Sequence, residues 1–393
     1  MKRILGMTFT YPMSLEEWVR LGLFDREKRI YEEHLNQGNF DNVVWFSYGP
    51  NDEEVCKKLQ ASGRLDSRIK AVGLPKWARG KYLRYFYSIL IPFIHKDTCK
   101  KLFMIKSNQM QGARVAAAIG KKYNIPFVFR TGYTFSIFYK RRKENENGIK
   151  RLKAQYWLYT YAKQERKLYK ECNLALVASE DDKKYVVDKY NIETDRISIL
   201  TNYIDCDLFK AKKNFDERKN RFLFVGRLNE QKNLCNLVEA FKNMDIGLDL
   251  YGAGEMEEEL KNMISEKDDI ILKGKVSNDK LPDIYNDYRY FILPSLFEGM
   301  PKTLLEAMAC GCICFGTDVE GIREVIDKNN GILLSSTNGI EMKEEIINAL
   351  KEITERQVNQ NIGHCAVQYI ENKHALKNVI RRENDLMMSI FNI

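Results

Sequence analysis

The feature that most constrains the fold of this chain is a repeated alternation of short apolar runs with longer helical patterns. Strands that alternate with helices form parallel sheets covered by helices on both faces, so the alternation predicts an α/β protein. The longest apolar run, 85–94, has about half of the roughly 20 residues that a membrane-spanning helix needs. Strands are expected at 3–9, 42–47, 69–72, 102–105, 127–129, 174–177, 197–200, 221–225, 248–251, 270–272, 290–293, 312–315 and 332–334.

The length of 393 residues allows roughly two to three domains. A polar segment without a strand pattern, 210–220, interrupts the alternation and is predicted to be an interdomain linker. Beyond residue 338 the pattern is helical to the end of the sequence. These features predict two α/β domains, with the boundary near residues 200–215.

The charge of the chain is divided unevenly between its halves. Residues 1–200 contain 38 Lys+Arg against 22 Asp+Glu, whereas residues 201–393 contain 25 against 32. The excess positive charge concentrates in two aromatic-rich stretches, 76–106 and 140–170. They are either solvated helix faces with a buried aromatic side or a surface that docks on anionic lipid headgroups. Nucleic acid is the weaker third interpretation, because no nucleic-acid motif is present and the second half is acidic.

The nine cysteines are scattered and odd in number, which predicts a reduced, cytosolic protein without a zinc knuckle. The first residues lack the apolar stretch of a signal peptide. Cys310, Cys312 and Cys314 alternate without a neighbouring histidine and are expected in a buried strand. The histidines show no metal-ligand spacing: His34, His95, His364 and His374.

The densest motif of polar and small residues is FEGMPKTLLEAMACG, 297–311. Pro301 suits the first position of a helix whose N-terminal amides would attract an anion. Glu306 is expected one turn inside that helix, on the face of Lys302, and Glu298 in the loop ahead of it. Because carboxylates repel phosphate, the two glutamates are better suited to sugar and ribose hydroxyls. An ordinary capped helix with two solvated acids is the alternative.

A second motif, FVGRLNEQKN at 224–233, follows a predicted strand. Gly226 permits a tight turn, and Arg227 and Lys232 leave the carboxyl end of the strand, where open α/β sheets bind ligands. Two fixed cations there could neutralise a diphosphate leaving group without a metal. A surface salt-bridge pair is the alternative.

A third motif, LYGAGE at 250–255, makes another strand-to-glycine turn. It is a weak dinucleotide fingerprint, because Glu257 occupies the third glycine position. By itself this motif indicates only a tight turn between a strand and a helix.

In this order and spacing, the three motifs resemble the donor-binding domain of glycosyltransferase family 4, the group 1 retaining enzymes with the GT-B fold. The segments GTDVEGIREVI and CNLALVASEDDKKYVV extend the resemblance. It implies two Rossmann-like β/α/β domains facing a central cleft. An acceptor-binding domain is expected at 1–205 and a donor-binding domain at 206–374. A terminal helix, about 375–393, is expected to pack back on the first domain.

The resemblance assigns roles residue by residue. Arg227 and Lys232 would bind the nucleotide diphosphate, Glu306 the ribose hydroxyls and Glu298 the donor sugar. Glu298, Arg227 and Lys232 are the implied catalytic residues. The segment Gly274 to Val276 would contact the nucleobase, and the backbone amides of Gly299 to Leu304 would contact the donor sugar. The implied donor-binding residues are Gly226, Arg227, Lys232, Gly252, Gly254, Lys275, Val276, Glu298, Gly299, Met300, Pro301, Lys302, Thr303, Leu304 and Glu306.

The first half departs from the family pattern. Where the family often has a glycine-rich loop after its first strand, this chain has GMTFTYPMSLEEW, with Gly6 alone. Where a histidine often touches the donor sugar, this chain offers Arg130 and Tyr133, which become the acceptor-side candidates. Asp205 and Asp207 spell a DxD pattern, but they lie in a segment that resembles the interdomain turn, so no metal site is predicted.

The resulting prediction is a metal-independent retaining glycosyltransferase without a cofactor. It would transfer a sugar from a nucleotide sugar, with UDP favoured, to a glycan or lipid-linked acceptor in bacterial surface polysaccharide, lipopolysaccharide or glycolipid biosynthesis. A front-face displacement would need no protein nucleophile. The expected location is cytoplasmic, peripheral on the inner face of the cell membrane. The alternatives are a GT-B-like nucleotide-sugar epimerase and a non-catalytic nucleotide-sugar-binding relative.

Overall fold

A computed structural model describes residues 2–75, 77–78, 80–143, 147–355 and 359–391. Lys76, Arg79 and residues 144–146 of the two basic stretches, and the last two residues of the expected terminal helix, lie outside the described residues. The chain divides into a first unit, up to Leu200 and again from Ile380 onward, and a second unit, Thr201–Val379. The expected division between residues 205 and 206 lies close to this boundary.

The first unit is built around a seven-stranded sheet with the order β3-β2-β1-β4-β5-β6-β7, in which every pair is parallel. Its strands are β1 Ile4–Thr8, β2 Asn42–Phe46, β3 Ile69–Val72, β4 Met104–Ser107, β5 Phe127–Arg130, β6 Leu174–Val177 and β7 Ile197–Ile199. Its helices are α1 Leu15–Arg20, α2 Phe24–Glu27, α3 Arg29–Asn36, α4 Asp52–Ala61, α5 Lys81–Ile94, α6 Lys96–Cys99, α7 Met110–Tyr123, α8 Phe135–Arg142, α9 Gly148–Glu171 and α10 Glu180–Tyr190.

The second unit contains a six-stranded parallel sheet with the order β10-β9-β8-β11-β12-β13. Its strands are β8 Lys219–Val225, β9 Gly247–Tyr251, β10 Ile270–Gly274, β11 Tyr288–Leu293, β12 Ile313–Thr317 and β13 Ile332–Leu334. The helices from here to the end of the chain are α11 Leu234–Phe241, α12 Glu257–Met263, α13 Leu281–Asp287, α14 Lys302–Ala309, α15 Glu320–Arg323, α16 Gly339–Glu355, α17 Asn359–Lys373 and α18 Leu376–Met388.

Both sheets are doubly wound. The strand order reverses between β1 and β4 in the first unit and between β8 and β11 in the second. Loops leave opposite faces of the sheet at such a reversal, which opens a crevice outside the carboxyl ends of the strands. Each unit therefore has one preferred position for a ligand.

Every expected strand is present, and the differences lie at the ends. The strand expected at 102–105 begins at Met104, because Leu102 still closes a turn by donating its N–H to the Cys99 carbonyl. The expected linker 210–220 is part of the second unit. Lys212 N–H donates to Asn286 Oδ1 at 2.6 Å, and β8 already begins at Lys219.

A buried charge cluster attaches the terminal helix to the first unit. Glu383 of α18 accepts from Lys106 Nζ at 2.6 Å and pairs with His34 Nε2 at 2.9 Å, and all three side chains are fully buried. Burial lowers the pKa of His34, while the Lys106 ammonium holds the pKa of Glu383 well below its usual range. These contacts bond the terminal helix directly to the interior of the first unit.

Candidate active site

At the reversal in the second unit, the loops after three neighbouring strands are bonded to one another. Gly226 N–H donates to the Tyr251 carbonyl at 3.0 Å, and Leu228 N–H to the Ala253 carbonyl at 3.1 Å. Gly252 N–H donates to the Gly274 carbonyl at 2.9 Å. The two glycine-containing motifs and the segment expected to meet a nucleobase therefore form one continuous edge.

The close approach of these loops explains the glycines. A Cβ atom on Gly252 would lie 1.9 Å from the Gly226 carbonyl oxygen, and one on Gly254 would lie 2.1 Å from the Leu228 carbonyl oxygen. Each of these separations is too short for a side chain. The GxG spacing is therefore needed for the packing of two loops, in addition to any contact with a ligand.

The loop after β11 brings Glu298 to the loop after β8. Lys232 Nζ forms an ion pair with Glu298 Oε1, and Ser295 Oγ donates to the same carboxylate oxygen at 2.7 Å. The Lys232 side chain is 14% exposed, and Glu298 is buried. Gln231 strengthens the junction, because its Nε2 donates to the Phe297 carbonyl at 2.8 Å. The predicted cation and the predicted sugar-binding carboxylate are therefore direct neighbours.

The helix α14 begins at Lys302, one residue later than expected, and Pro301 is its N-cap. Pro301 has an extended backbone with ψ of 113°, which places it just outside the helix. The N-terminal amides of α14 have no side-chain cap from Pro301, so the chemistry of a helix N-terminus is retained at this end.

Glu306 lies one turn inside α14, where it is buried and accepts a hydrogen bond from Tyr285 OH at 3.0 Å. Burial and the neighbouring carboxylate raise the pKa of Tyr285 well above its ordinary value. Tyr285 therefore stays protonated and acts as the donor. This bond orients the Glu306 carboxylate.

The remaining predicted donor residues differ in the solvent exposure of their side chains. Arg227 and Lys275 are exposed, and Val276 is partly exposed. Lys302 Nζ lies 4.8 Å from the centre of the Tyr203 ring.

Several of the predicted donor residues have buried side chains, so they could offer mainly their backbone to a ligand: Met300, Pro301 and Leu304. Gly299 and Thr303 are partly exposed.

A glycine outside the expected donor set supports this loop. A Cβ atom on Gly321 would lie 1.5 Å from the Gly299 carbonyl oxygen, so only glycine fits beneath the loop that carries Glu298. Gly321 belongs to the GTDVEG segment, where spacing alone did not reveal its role.

The acceptor-side candidates in the first unit lie at the end of β5 and in the loop that follows it. Arg130 is buried, and its Nη1 donates to the Leu200 carbonyl at 3.1 Å. Tyr133 is partly exposed and packs on Phe138, with ring centres 4.5 Å apart. Arg130 thus has a bonding partner within its own unit, whereas Tyr133 presents a ring near the carboxyl end of the sheet.

The loop after β1 is supported by a distant glycine. Gly112 in α7 has a positive φ of 108°, and a Cβ atom there would lie 2.0 Å from the Phe9 carbonyl oxygen. The glycine that this loop requires is therefore on the neighbouring element, which a search within the loop could not find.

The other polar candidates have structural roles. Asp205 Oδ1 accepts from Asp207 N–H at 3.2 Å, in a turn. Within the described ranges, no group of three or more His, Cys, Asp or Glu side chains could hold a metal ion. Cys310, Cys312 and Cys314 are fully buried, but only Cys314 lies on β12, which begins at Ile313.

Two supporting side chains were missed by the sequence analysis. Ser295 stands just ahead of the motif 297–311 and three residues before Glu298, so this spacing was a usable signal. Tyr285 lies on α13, outside every motif, and nothing local connects it with Glu306.

Comparisons with known proteins show what the chain resembles in sequence and in fold. The sequence profile of the family described as "Glycosyl transferases group 1" matches residues 205–363. The chain is 25% identical over 350 residues to the UDP-Gal:alpha-D-GlcNAc-diphosphoundecaprenol alpha-1,3-galactosyltransferase of Escherichia coli, across 83% of this chain and 86% of that enzyme. It is 29% identical over 204 residues to the N-acetylgalactosamine-N,N'-diacetylbacillosaminyl-diphospho-undecaprenol 4-alpha-N-acetylgalactosaminyltransferase of Campylobacter jejuni, across 49% of this chain and 55% of that enzyme.

Among solved structures, the fold matches that of the Anabaena protein HepE in complex with UDP, with a TM-score of 0.72 and 16% sequence identity. The match covers 98% of this chain and 100% of the other. The two doubly wound units and these likenesses show that the chain has the GT-B fold, and residues 205–363 match the group 1 glycosyltransferase family.

Proposed function

We propose that this glycosyltransferase transfers a sugar from a UDP-sugar to a glycan or lipid-linked acceptor, with retention of the anomeric configuration and without a metal. The observation that carries the proposal is the pairing of Lys232 with Glu298 at the strand reversal of the second unit. A cation for phosphate and a carboxylate for sugar hydroxyls are adjacent there, which is the arrangement that a nucleotide diphosphate sugar requires.

The diphosphate is assigned to Arg227, Lys232 and the N-terminal end of α14. Arg227 is exposed at the carboxyl end of β8, and Lys232 follows in the same loop. Positive groups held in place before the reaction stabilise negative charge as it grows on the leaving phosphate. In the free enzyme Glu298 neutralises Lys232, so the bound phosphate would replace this carboxylate as the partner of the ammonium.

The two glutamates are assigned to the two ends of the donor. Glu306 accepts from Tyr285, and an oriented carboxylate is suited to ribose hydroxyls, which donate. Glu298 is oriented by Ser295 and would turn from Lys232 to the hydroxyls of the sugar. Neither role needs a covalent intermediate, so a leaving-phosphate oxygen would accept the proton of the attacking acceptor hydroxyl.

Two kinds of likeness support the choice of substrates. HepE has been solved with UDP-glucose as well as UDP, and the names of the two enzyme relatives place a diphosphoundecaprenol on their acceptors. We therefore propose a role in surface glycan assembly, in the cytoplasm and peripheral on the inner face of the cell membrane. The excess positive charge of residues 1–200 supports contact with anionic lipid.

A thermal-shift screen with nucleotide sugars tests the donor. A ligand at 100 times its dissociation constant stabilises a protein by about 2.7 kcal/mol, so a UDP-sugar should raise the melting temperature while the matching GDP-sugar should not. No stabilisation by any nucleotide sugar would contradict the proposal.

Turnover without an acceptor separates the alternatives. Slow hydrolysis of the donor, unchanged in excess EDTA, is expected for a metal-independent transferase. An interconverted but uncleaved nucleotide sugar would indicate an epimerase, and binding without any turnover would indicate a non-catalytic relative. Activity lost in EDTA and restored by a divalent ion would overturn metal independence.

A further inference from the structure

The helix α5 exposes an apolar face on the first unit. Tyr82 and Phe86 are 79% and 62% exposed, and the residues one and two turns further on the same side, Ile89 and Phe93, are also exposed. Between Tyr85 and Ile94 the sequence has no charged residue. Within the described part of the chain no helix is long and apolar enough to cross a membrane, so this face requires a different explanation.

The opposite side of α5 packs against the rest of the first unit. Tyr87 and Ile91 are fully or almost fully buried, and Tyr87 OH donates to the Gly73 carbonyl at 2.8 Å. The helix therefore packs on the unit through one face and exposes its other face to solvent. An exposed apolar patch of this kind marks an interaction site.

Cations of α7 border the apolar face directly. Arg114 Nη1 donates to Tyr85 OH at 3.0 Å, and Lys122 Nζ lies 3.2 Å from the centre of the Phe93 ring. The apolar strip and the positive charge are thus parts of one continuous surface. Cations beside aromatic rings are typical of protein surfaces that lie at the boundary between headgroups and acyl chains.

A basic groove of about 1070 Å³ lies between α7 and α9 and is lined in part by Arg114, which also contacts Tyr85 of α5. The lining contains one acidic side chain, Glu171, which lies 3.7 Å from Lys167. The cationic lining residues are Arg114, Lys121, Lys163, Arg166, Lys167 and Lys170. A groove with this balance of charge is suited to several phosphate groups at once.

We propose that α5, α7 and α9 form one membrane-docking surface. The exposed face of α5 enters the interfacial region of an anionic bilayer, and the groove between α7 and α9 receives lipid phosphates. This inference deepens the proposed function, on which it rests for the expectation of a membrane-bound acceptor. It also changes the expected mode of docking, because apolar insertion by α5 now accompanies the attraction of basic residues.

Charge complementarity favours a bilayer over other occupants. A second copy placed symmetrically on this surface would bring like-charged grooves together, which opposes association. A nucleic acid would use the cations but would leave the apolar face of α5 exposed to water. An anionic bilayer satisfies both parts, since phosphates meet the groove and acyl chains meet the apolar side chains.

Two surface variants test the two parts of this inference. Phe86→Ser with Phe93→Ser removes apolar area from α5, and Lys163→Glu with Lys167→Glu reverses charge in the groove. The matched controls are Ile271→Ser, an exposed apolar residue of the second unit, and Lys184→Glu with Lys189→Glu, two exposed lysines on α10.

Co-sedimentation with phosphatidylcholine vesicles, with and without phosphatidylglycerol, measures docking. The native chain should bind the anionic vesicles and bind less tightly as salt rises. The α5 variant should lose at least tenfold in affinity at every salt concentration, whereas the groove variant should lose the preference for anionic lipid. Both controls should stay within about twofold of the native chain.

Several outcomes would overturn the inference. These are equal binding of the native chain to neutral and anionic vesicles, no binding to either, or equal losses in the variants and their controls. An α5 variant that converts a dimer into a monomer would assign the surface to self-association. UDP binding, measured by calorimetry on the same samples, separates the two proposals, because its absence contradicts the proposed function and leaves the docking result intact.

Discussion

The two units have the same doubly wound plan and use charged residues in different ways. In the second unit, Lys232 and Glu298 meet at the strand reversal, close to the surface. In the first unit, the charged side chains near the carboxyl ends of the strands serve the fold. Asp52, for example, accepts the N–H groups of Leu15 and Gly49, each at 3.0 Å. Sheet order therefore decides where a ligand can bind, but the loops decide whether charge is available for it.

Two groups of charged residues in the first unit differ greatly in solvent exposure. Lys106 and Glu383 are sealed in the interior, whereas the cations of α7 and α9 line an external groove. We therefore expect substitutions of the buried charged residues in the first unit to lower the stability of the fold. Substitutions of the charged residues at the strand reversal of the second unit should instead lower catalysis.

The largest expected effect is on the stability of the first unit. Lys106→Met should lower the free energy of unfolding by roughly 3–5 kcal/mol, because it leaves the buried Glu383 carboxylate without its cation. Urea denaturation followed by circular dichroism measures the loss. Lys106→Met combined with Glu383→Leu should recover much of it, and a double variant as unstable as the single one would show that packing, rather than unpaired charge, explains the loss.

The next effect concerns turnover in the second unit. Arg227→Ala or Lys232→Ala should lower kcat by roughly 10² or more, the scale for removing one preorganised electrostatic group. Steady-state kinetics at saturating donor measures it, with Lys261→Ala on the exposed side of α12 as the control. If both variants kept near-native kcat, the assignment of the diphosphate would be wrong.

A smaller effect should distinguish the two glutamates. Glu306→Gln should weaken UDP binding by roughly tenfold, the loss of a hydrogen bond to a charged group. Glu298→Gln should leave UDP binding unchanged or slightly tighter, since it frees Lys232, while lowering sugar transfer. Calorimetry with UDP on both variants decides between them. Equal losses of UDP affinity in the two variants would contradict the assignment of Glu306 to the ribose and Glu298 to the sugar.

The smallest effect is on pH dependence. Burial lowers the pKa of His34 below its ordinary value, so as the pH falls from 7 to 5 the unfolded chain binds more protons at this position than the folded chain. Stability should fall as the pH drops through about 6.5, by up to roughly 1.4 kcal/mol per pH unit for this group.

Comparison of two histidine variants isolates this contribution. His34→Gln should flatten the fall in unfolding free energy between pH 7 and 5, without abolishing it, because burial also lowers the pKa of His95 and His374. The exposed His364→Gln is the control. Identical slopes in the native chain and in His34→Gln would exclude His34 as the source.

Much of the second unit could be predicted from contiguous residues. The strands before the motifs, the turn at Gly226, the loop with Glu298 and the helix with Glu306 all follow from local patterns. The loops at the carboxyl ends of the first sheet were harder to predict, because their critical contacts join separate elements. Gly112 of α7 makes room for the loop after β1, and Arg130 is tied to Leu200, which is 70 residues away in the sequence.

The sequence by itself determined the order of strands and helices and the three motifs of the second unit, since periodicity and turn chemistry act over a few neighbouring residues. Only the tertiary structure decided which side chains meet. Lys232 and Glu298 are 66 residues apart, and Lys106 and Glu383 are 277 residues apart. It also decided that α5 packs through Tyr87 and leaves Phe86 outside. The physical reason is that a run apolar on all sides does not specify a buried face, which is chosen only when a neighbouring helix covers one side.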